Sequence, residues 1–226
     1  MRALAALVPL ALLAACGTPE MSRGERMLRP AANPGAVIAA EIAFNRLAQT
    51  KGQWAAFRET STADAVMFVP QPANAHQWLK DRAEPAARLA WQPHQVWSSC
   101  DGTLALTKGA WQRGDGKVGY FTTLWRRQQD SGYKWVLDQG DTLGQPLEEP
   151  EMISSAVADC SASSVPVPPA PVAGAGGTGF STDNSMTYSY AVSAEGHRTL
   201  SVSIRRDGQM QEVLRSDVRE GEGVSN

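Results

Sequence analysis

Two alternating runs, Gly119-Tyr120-Phe121-Thr122-Thr123-Leu124-Trp125-Arg126-Arg127 and Tyr133-Lys134-Trp135-Val136-Leu137-Asp138, flank the turn residues Asp130-Ser131-Gly132. Aromatic and β-branched residues at period two around such a turn predict a hairpin, with strands over 118–127 and 134–141. Working back along the chain, residues 103–112 read as a strand, as do residues 94–99, where His94, Val96 and Ser98 alternate with Gln95, Trp97 and Ser99. Asp101-Gly102 and Arg113-Gly114-Asp115-Gly116 supply the turns.

Helical period precedes the strands. Asn33 suits a cap and Pro34 a first helical position; Val37, Glu41, Phe44 and Ala48 share one face, and Gly52 ends the helix. A second short helix carries Trp54, Phe57 and Arg58, residues 63–70 run into a short strand, and a third helical piece over 74–82 holds His76 and Trp78. Helices followed by a meander predict an α+β domain over residues 34–143. Beyond it, residues 144–160 read as a possible short helix, 161–184 as a Pro/Ser/Gly/Ala linker, 185–216 as antiparallel β-strands and 217–226 as a disordered tail. Three short strands are barely stable alone, so they are expected to dock on the main domain or on a partner.

The first residues carry a different message. Met1-Arg2 leads an apolar run over 3–15 that contains Pro9, too short for a membrane-spanning helix and right for an export signal. The run ends in Leu13-Ala14-Ala15-Cys16-Gly17, which resembles the lipobox of bacterial lipoprotein precursors. That resemblance implies cleavage after residue 15, a lipid on Cys16, a tether over 16–33, and anchoring to the cell envelope. The absence of Asp after Cys16 implies the outer membrane, facing the periplasm. Residues 17–33 span at most about 55–60 Å. With Cys16 lipidated, Cys100 and Cys160 remain; in an oxidising compartment they either pair or stay as free thiols.

Composition excludes some partners. The formal charge is −2, and loss of Arg2 with the leader leaves 20 basic against 23 acidic groups, so no basic excess points to nucleic acid. Three widely spaced His with no HxxE or CxxC cluster give no metal set, and no cofactor motif is present. The glycines between 174 and 179 follow no predicted strand and open no helix, so they are no phosphate loop.

With these elements in place, residues 33–141 resemble the NTF2-like superfamily, near its SnoaL-like members. The likeness rests on Glu41-Ile42-Ala43-Phe44-Asn45, Trp54-Ala55-Ala56-Phe57, Ala63-Asp64-Ala65-Val66-Met67-Phe68, Asp101-Gly102-Thr103-Leu104-Ala105 and the hairpin quoted first. It implies helices packed on a curved antiparallel sheet around a cone-shaped cavity, with dimers formed through the outer face in many members. It says little about function, because that fold hosts both enzymes and binders.

A trial register completes the reading. Trp125 opposite Trp135 sets Thr122 against Asp138 and Leu124 against Val136; Trp111 opposite Gly119 brings Lys108 beside Thr122. One face then carries Leu106, Leu124, Val136, Tyr120 and the polar row Lys108, Thr122, Asp138. The other carries Trp111, Phe121, Thr123, Trp125, Trp135 and Leu137. A slip of one residue exchanges the faces. Of the titratable groups Glu41, Asp64, His76, His94, Asp138 and Asp141, a catalytic set is sharpest at Asp138 with Tyr120, and His76 as a further partner. On a solvated face the same Lys108 and Asp138 are only a cross-strand pair of about 0.2–1 kcal/mol. His94, after Pro93, is expected at the exposed start of its strand. Candidate ligand contacts are Trp54, Trp78, Trp97, Lys108, Tyr120, Thr122 and Asp138, with Trp91 and Trp111 as further Trp able to line a pocket.

Three functions follow. The first is a membrane-anchored periplasmic domain that binds a small apolar ligand or a partner protein without catalysis, possible as a homodimer. The second is a SnoaL-like isomerase, cyclase or dehydratase using a pocket carboxylate. The third is a structural envelope protein that associates through its C-terminal strands.

Overall fold

The computed structural model describes residues 31–160 and 175–219. The signal segment, Cys16, the tether up to residue 30, linker residues 161–174 and residues 220–226 lie outside the described residues.

Helix α1 (Pro34–Lys51) starts where the Asn33 side chain accepts a hydrogen bond from the Ala36 amide, and ends at Gly52 with φ 107°. Its buried residues are Val37, Glu41, Phe44 and Ala48. Helix α2 (Gln53–Thr60) follows at once, its first amides capped by the Glu84 carboxylate at 2.8 and 2.9 Å. Then come β1 (Ser61–Phe68), β2 (Pro72–Asn74), the single turn α3 (Ala75–Trp78), β3 (Leu89–Ser98), β4 (Leu104–Arg113), β5 (Val118–Arg127), β6 (Tyr133–Leu143) and β7 (Ser154–Val157). Strands β8 (Ala175–Phe180), β9 (Met186–Val192), β10 (Arg198–Arg206) and β11 (Gln209–Val218) form a second sheet.

The class is α+β. The first sheet runs β2-β1-β6-β5-β4-β3-β7 and is mixed: β1 lies parallel to β6, and β7 parallel to β3. An all-antiparallel sheet is therefore not what the chain builds. Residues 154–157, expected within a short helix, form edge strand β7 paired from Gln95–Ser154 to Ser98–Val157. The run Ser154-Ser155-Ala156-Val157 has no helical apolar stripe, and an open edge satisfies its amides. Two other bounds differ. Strand β8 (Ala175–Phe180) falls within the expected linker, and Asp217 and Val218 of the expected tail belong to β11.

Each face of the first sheet has its own core. Helices α1 and α2 cover one face around Phe44, Phe57, Trp125 and Trp135. The second sheet covers the other, packing Met186, Tyr188, Leu200, Val202 and Ile204 on Leu104, Leu106, Leu124 and Leu137. Polar contacts fix the two sheets. Arg198 donates to Gln139 Oε1 (2.7 Å) and to the Gly140 carbonyl (3.0 Å), and the Tyr120 and Ser216 hydroxyls lie 2.8 Å apart. Asp101 and Asp183 accept from each other's backbone amides at 3.0 and 2.9 Å.

Cys100 and Cys160 form a disulfide with Cα atoms 5.2 Å apart. It holds the exit of β7 against the β3–β4 turn, where Ala158 also donates to Ser98 O. Because the bridge closes a separation of 60 residues, Cys160→Ser is expected to lose up to about 4 kcal/mol of stability, measured by chemical denaturation. A midpoint equal to that of the oxidised parent would contradict a stabilising role.

Candidate functional site

Cross-strand register orders the helix-covered face into rows. Ala105, Trp125 and Trp135 form the first, followed by Thr107, Thr123 and Asp138, then Gly109, Phe121 and Gly140, and last Trp111, Gly119 and Thr142. Strand β6 carries one extra residue. Trp125 pairs with Trp135, yet Leu124 pairs with Leu137, so Val136 is bulged out of the count. Beyond the bulge the faces exchange. Asp138 joins the helix-covered face opposite Thr123, and Leu137 leaves it. On the outer face Gln139, not Asp138, completes the row with Lys108 and Thr122.

The third row opens a hollow. A Cβ on Gly109, Gly119 or Gly140 would strike a carbonyl of the neighbouring strand: Gln92, Asp141 and Tyr120 respectively. Strands approach this closely where a sheet bends, and only glycine fits there. The rings of Phe121 and Trp111 lie against Gly109 and Gly119. Between this part of the sheet and the helices lies a cavity of about 200 Å³, partly open to solvent. Its walls are Phe44 from α1, Gln53, Trp54 and Phe57 from α2, and Trp91, Trp111 and Phe121 from the sheet, with Met67, Leu89, Asp138, Gln139 and Gly140. The rings meet edge to face. Phe44 and Trp91 lie 4.7 Å apart at 72°, and Trp54 and Phe57 5.7 Å apart at 83°.

Two carboxyls belong to this face. Asp138 lines the cavity, and its hydrogen bond among the described residues comes from Thr123 Oγ1 at 2.7 Å. Burial pushes its pKa up to about 7, with the Glu41 charge adding to the rise and Thr123 and Arg198 opposing it. Glu41 is fully buried on α1, behind the indoles. Trp91 Nε1 donates to its Oε1 at 2.6 Å; Thr107 Oγ1 and Trp125 Nε1 donate to its Oε2 at 2.6 and 3.2 Å. Burial raises its pKa to about 7 despite these three donors. Either protonation state can be satisfied. With Glu41 ionised, the Thr107 hydroxyl donates to it. With Glu41 protonated, the acid donates to Thr107 and that hydroxyl turns to the Thr123 carbonyl, 3.3 Å away. Glu41, Thr107, Thr123 and Asp138 thus form one polar row across three strands and a helix.

The expected site residues are dispersed. Asp138 and Trp54 line the cavity. Tyr120, Lys108 and Thr122 lie on the opposite face under the second sheet, so the pairing of Asp138 with Tyr120 does not form. Trp97 pairs with Leu106 and packs with the outer-face core, not the cavity. Trp78 stands behind Trp54, ring centres 5.5 Å apart, with the Arg82 guanidinium 3.5 Å over it. His76 is exposed and lies 2.9 Å from Ser61 Oγ. Ser61 stands opposite Trp135 in the β1–β6 ladder whereas Asp138 stands opposite Met67, and no hydrogen bond among the described residues joins His76 to that carboxyl. His94 is buried, not exposed, because β3 starts five residues earlier at Leu89. Its Nε2 has no hydrogen-bond partner among the described residues, and burial lowers its pKa. Asp64 is exposed beside Arg126 at 3.1 Å. Thr107 and Thr123 carry no signal in the sequence that marks them as a site, whereas Glu41 is visible there as a titratable group on the apolar face of α1.

No protein-family model matches the chain, and no curated protein matches it. A solved structure similar to part of it is an NTF2-like protein of unknown function from Mesorhizobium loti, at 17% identity. The match covers 49% of this chain and 93% of that one, with a TM-score of 0.31.

A carboxyl whose folded pKa exceeds its unfolded value adds stability below the unfolded value and loses it as pH rises through the folded one. For Asp138 that window runs from 3.8 to about 7. Asp138→Asn keeps an acceptor for Thr123 and removes the charge. Its stability relative to the parent is expected to be higher at pH 8 than at pH 4 by about 1–3 kcal/mol. A difference independent of pH, in parallel urea titrations, would show that Asp138 titrates normally.

Proposed function

We propose that this chain is an exported, lipid-anchored envelope protein whose NTF2-like cone binds a small, mainly apolar molecule in the periplasm without transforming it. The observation that carries the reading is the cavity of about 200 Å³ walled by six aromatic rings, with a carboxyl at one point of its wall. An apolar pocket with a few placed polar groups is the ordinary form of a small-molecule site. A dry hollow of roughly 150 Å³ holds benzene, so this one suits a body of about that size with a few more heavy atoms. The export signal and the Leu13-Ala14-Ala15-Cys16 motif support the anchor, with the outer membrane as its place.

One observation favours a second reading, acid–base catalysis by a SnoaL-like isomerase, cyclase or dehydratase: Asp138 faces the cavity with a pKa near neutrality. The binder reading is the better supported. The partners sought for that acid, Tyr120 and His76, are elsewhere, and Glu41 is sealed behind Trp91 and Trp125.

A library of small aromatic and alicyclic compounds, followed by tryptophan fluorescence and thermal shift, tests the pocket. Binders are expected, and Leu89→Trp at the cavity wall is expected to weaken them at least tenfold with the fold retained. Absence of any binder to millimolar concentration would overturn the reading. Turnover of a bound carbonyl compound that Asp138→Asn abolishes would favour the enzyme. Separately, the mature protein is expected to begin at Cys16 and carry a lipid mass that Cys16→Ser lacks, read by intact mass of the membrane-extracted protein; an unmodified Cys16 would contradict the anchor.

A further inference from the structure

We propose that the cavity takes an organic cation, an ammonium whose substituents lie against Trp54, Phe57, Trp91, Trp111 and Phe121 and whose charge pairs with Asp138. The inference rests on the reading of this hollow as a ligand site, and it names the chemical class.

Three features of the wall select the sign of charge. First, among the described residues Asp138 is the one ionisable side chain of the lining, and no Lys or Arg belongs to it. Arg198, the nearby cation, lies on the second sheet and is engaged by Gln139 Oε1 and the Gly140 carbonyl. Second, two of the indoles offer the cavity no N–H. Trp91 Nε1 is held by Glu41 at 2.6 Å and Trp111 Nε1 by the Tyr120 carbonyl at 2.9 Å. These two indoles contribute ring surface and not donors; the donors left in the lining are uncharged, the side-chain amides of Gln53 and Gln139 among them, so no positive charge there offsets an anion beside Asp138. Third, the rings form walls set steeply to one another, 63° for Phe44 and Phe57 and 69° for Phe57 and Trp91, not a parallel stack. Rings at steep angles surround a charge on several sides, and ring quadrupoles attract cations.

The carboxyl favours a cationic over a neutral occupant. A purely apolar ligand would cover Asp138 and leave it with Thr123 alone, and a covered, unpaired charge is costly. Taking up a proton relieves that cost, and so does a ligand cation. The cation also meets the rings.

The experiment compares benzyltrimethylammonium with neopentylbenzene, its neutral carbon isostere, by tryptophan fluorescence titration of the full chain. The cation is expected to bind at least tenfold more tightly. Asp138→Asn is expected to remove most of that preference, weakening the cation and leaving neopentylbenzene bound at least as tightly as by the parent. Trp54→Leu, which keeps the wall apolar and removes a ring, provides a variant independent of the buried carboxyl. It is expected to weaken the cation more than the isostere. Equal or tighter binding of neopentylbenzene would overturn the cation and leave the apolar pocket standing. Failure of both compounds to bind would overturn the pocket itself.

Discussion

One extra residue in β6 sets the chemistry of this molecule. Between Trp135 and Leu137 the strand has one residue more than its neighbour needs, and every side chain after it changes face. Without the bulge, Asp138 would sit with Lys108 and Thr122 on the outer face, where the second sheet now packs. With it, the carboxyl stands beside Thr123 in the helix-covered interior, and the neutral amide of Gln139 meets Arg198 instead. A bulge also increases local twist and bends the strand. The feature that turns the acid inward therefore also helps the sheet wrap the helices.

The interior acid is tolerable because its neighbours accept more than one protonation state. Thr107 and Thr123 are cross-strand partners, and each bonds one of the two carboxyls through its hydroxyl. A hydroxyl both donates and accepts, so it can serve an ionised or a neutral acid; an indole N–H only donates. Two acids on one face disfavour each other's ionisation, which is why Glu41 contributes to the upward shift of Asp138. The face is built to hold less than two full negative charges at neutral pH.

Much of this was legible in the sequence. The apolar spacing of α1 gives its four buried positions, and turn residues with alternating runs place strands β4 to β6 to within about two residues. The pairs Trp125–Trp135 and Trp111–Gly119 are read correctly from the turns. What failed is register past Trp135. A bulge changes a count of residues, not a pattern of hydrophobicity, and Trp-Val-Leu-Asp alternates equally well with or without it. Edge strand β7 failed for a related reason: its short polar run takes its structure from an available edge, and local preference says nothing of it. The candidate site was half legible. Aromatic residues and Asp138 are visible as chemistry, but which ring faces which acid depends on that one residue.

The hollow is itself a departure from what packing prefers. A closed, dry void of about 200 Å³ would cost about 5 kcal/mol at about 24 cal/mol per Å³; this one is partly open to solvent, and its walls are held apart by bonds made elsewhere. The large rings do not collapse into it, because their indole N–H groups are tied elsewhere. Trp91 is fixed by Glu41, Trp111 by Tyr120, Trp125 by Glu41 and Thr107, and Trp135 by Thr60. Gly109, Gly119 and Gly140 meanwhile hold the strands in a bend that no larger residue permits. The outer face cannot relax the bend, since the second sheet packs against it with its own apolar core. The hollow is thus held open from both sides of the sheet, by indoles tied away from it and by a bend that the second sheet cannot relax.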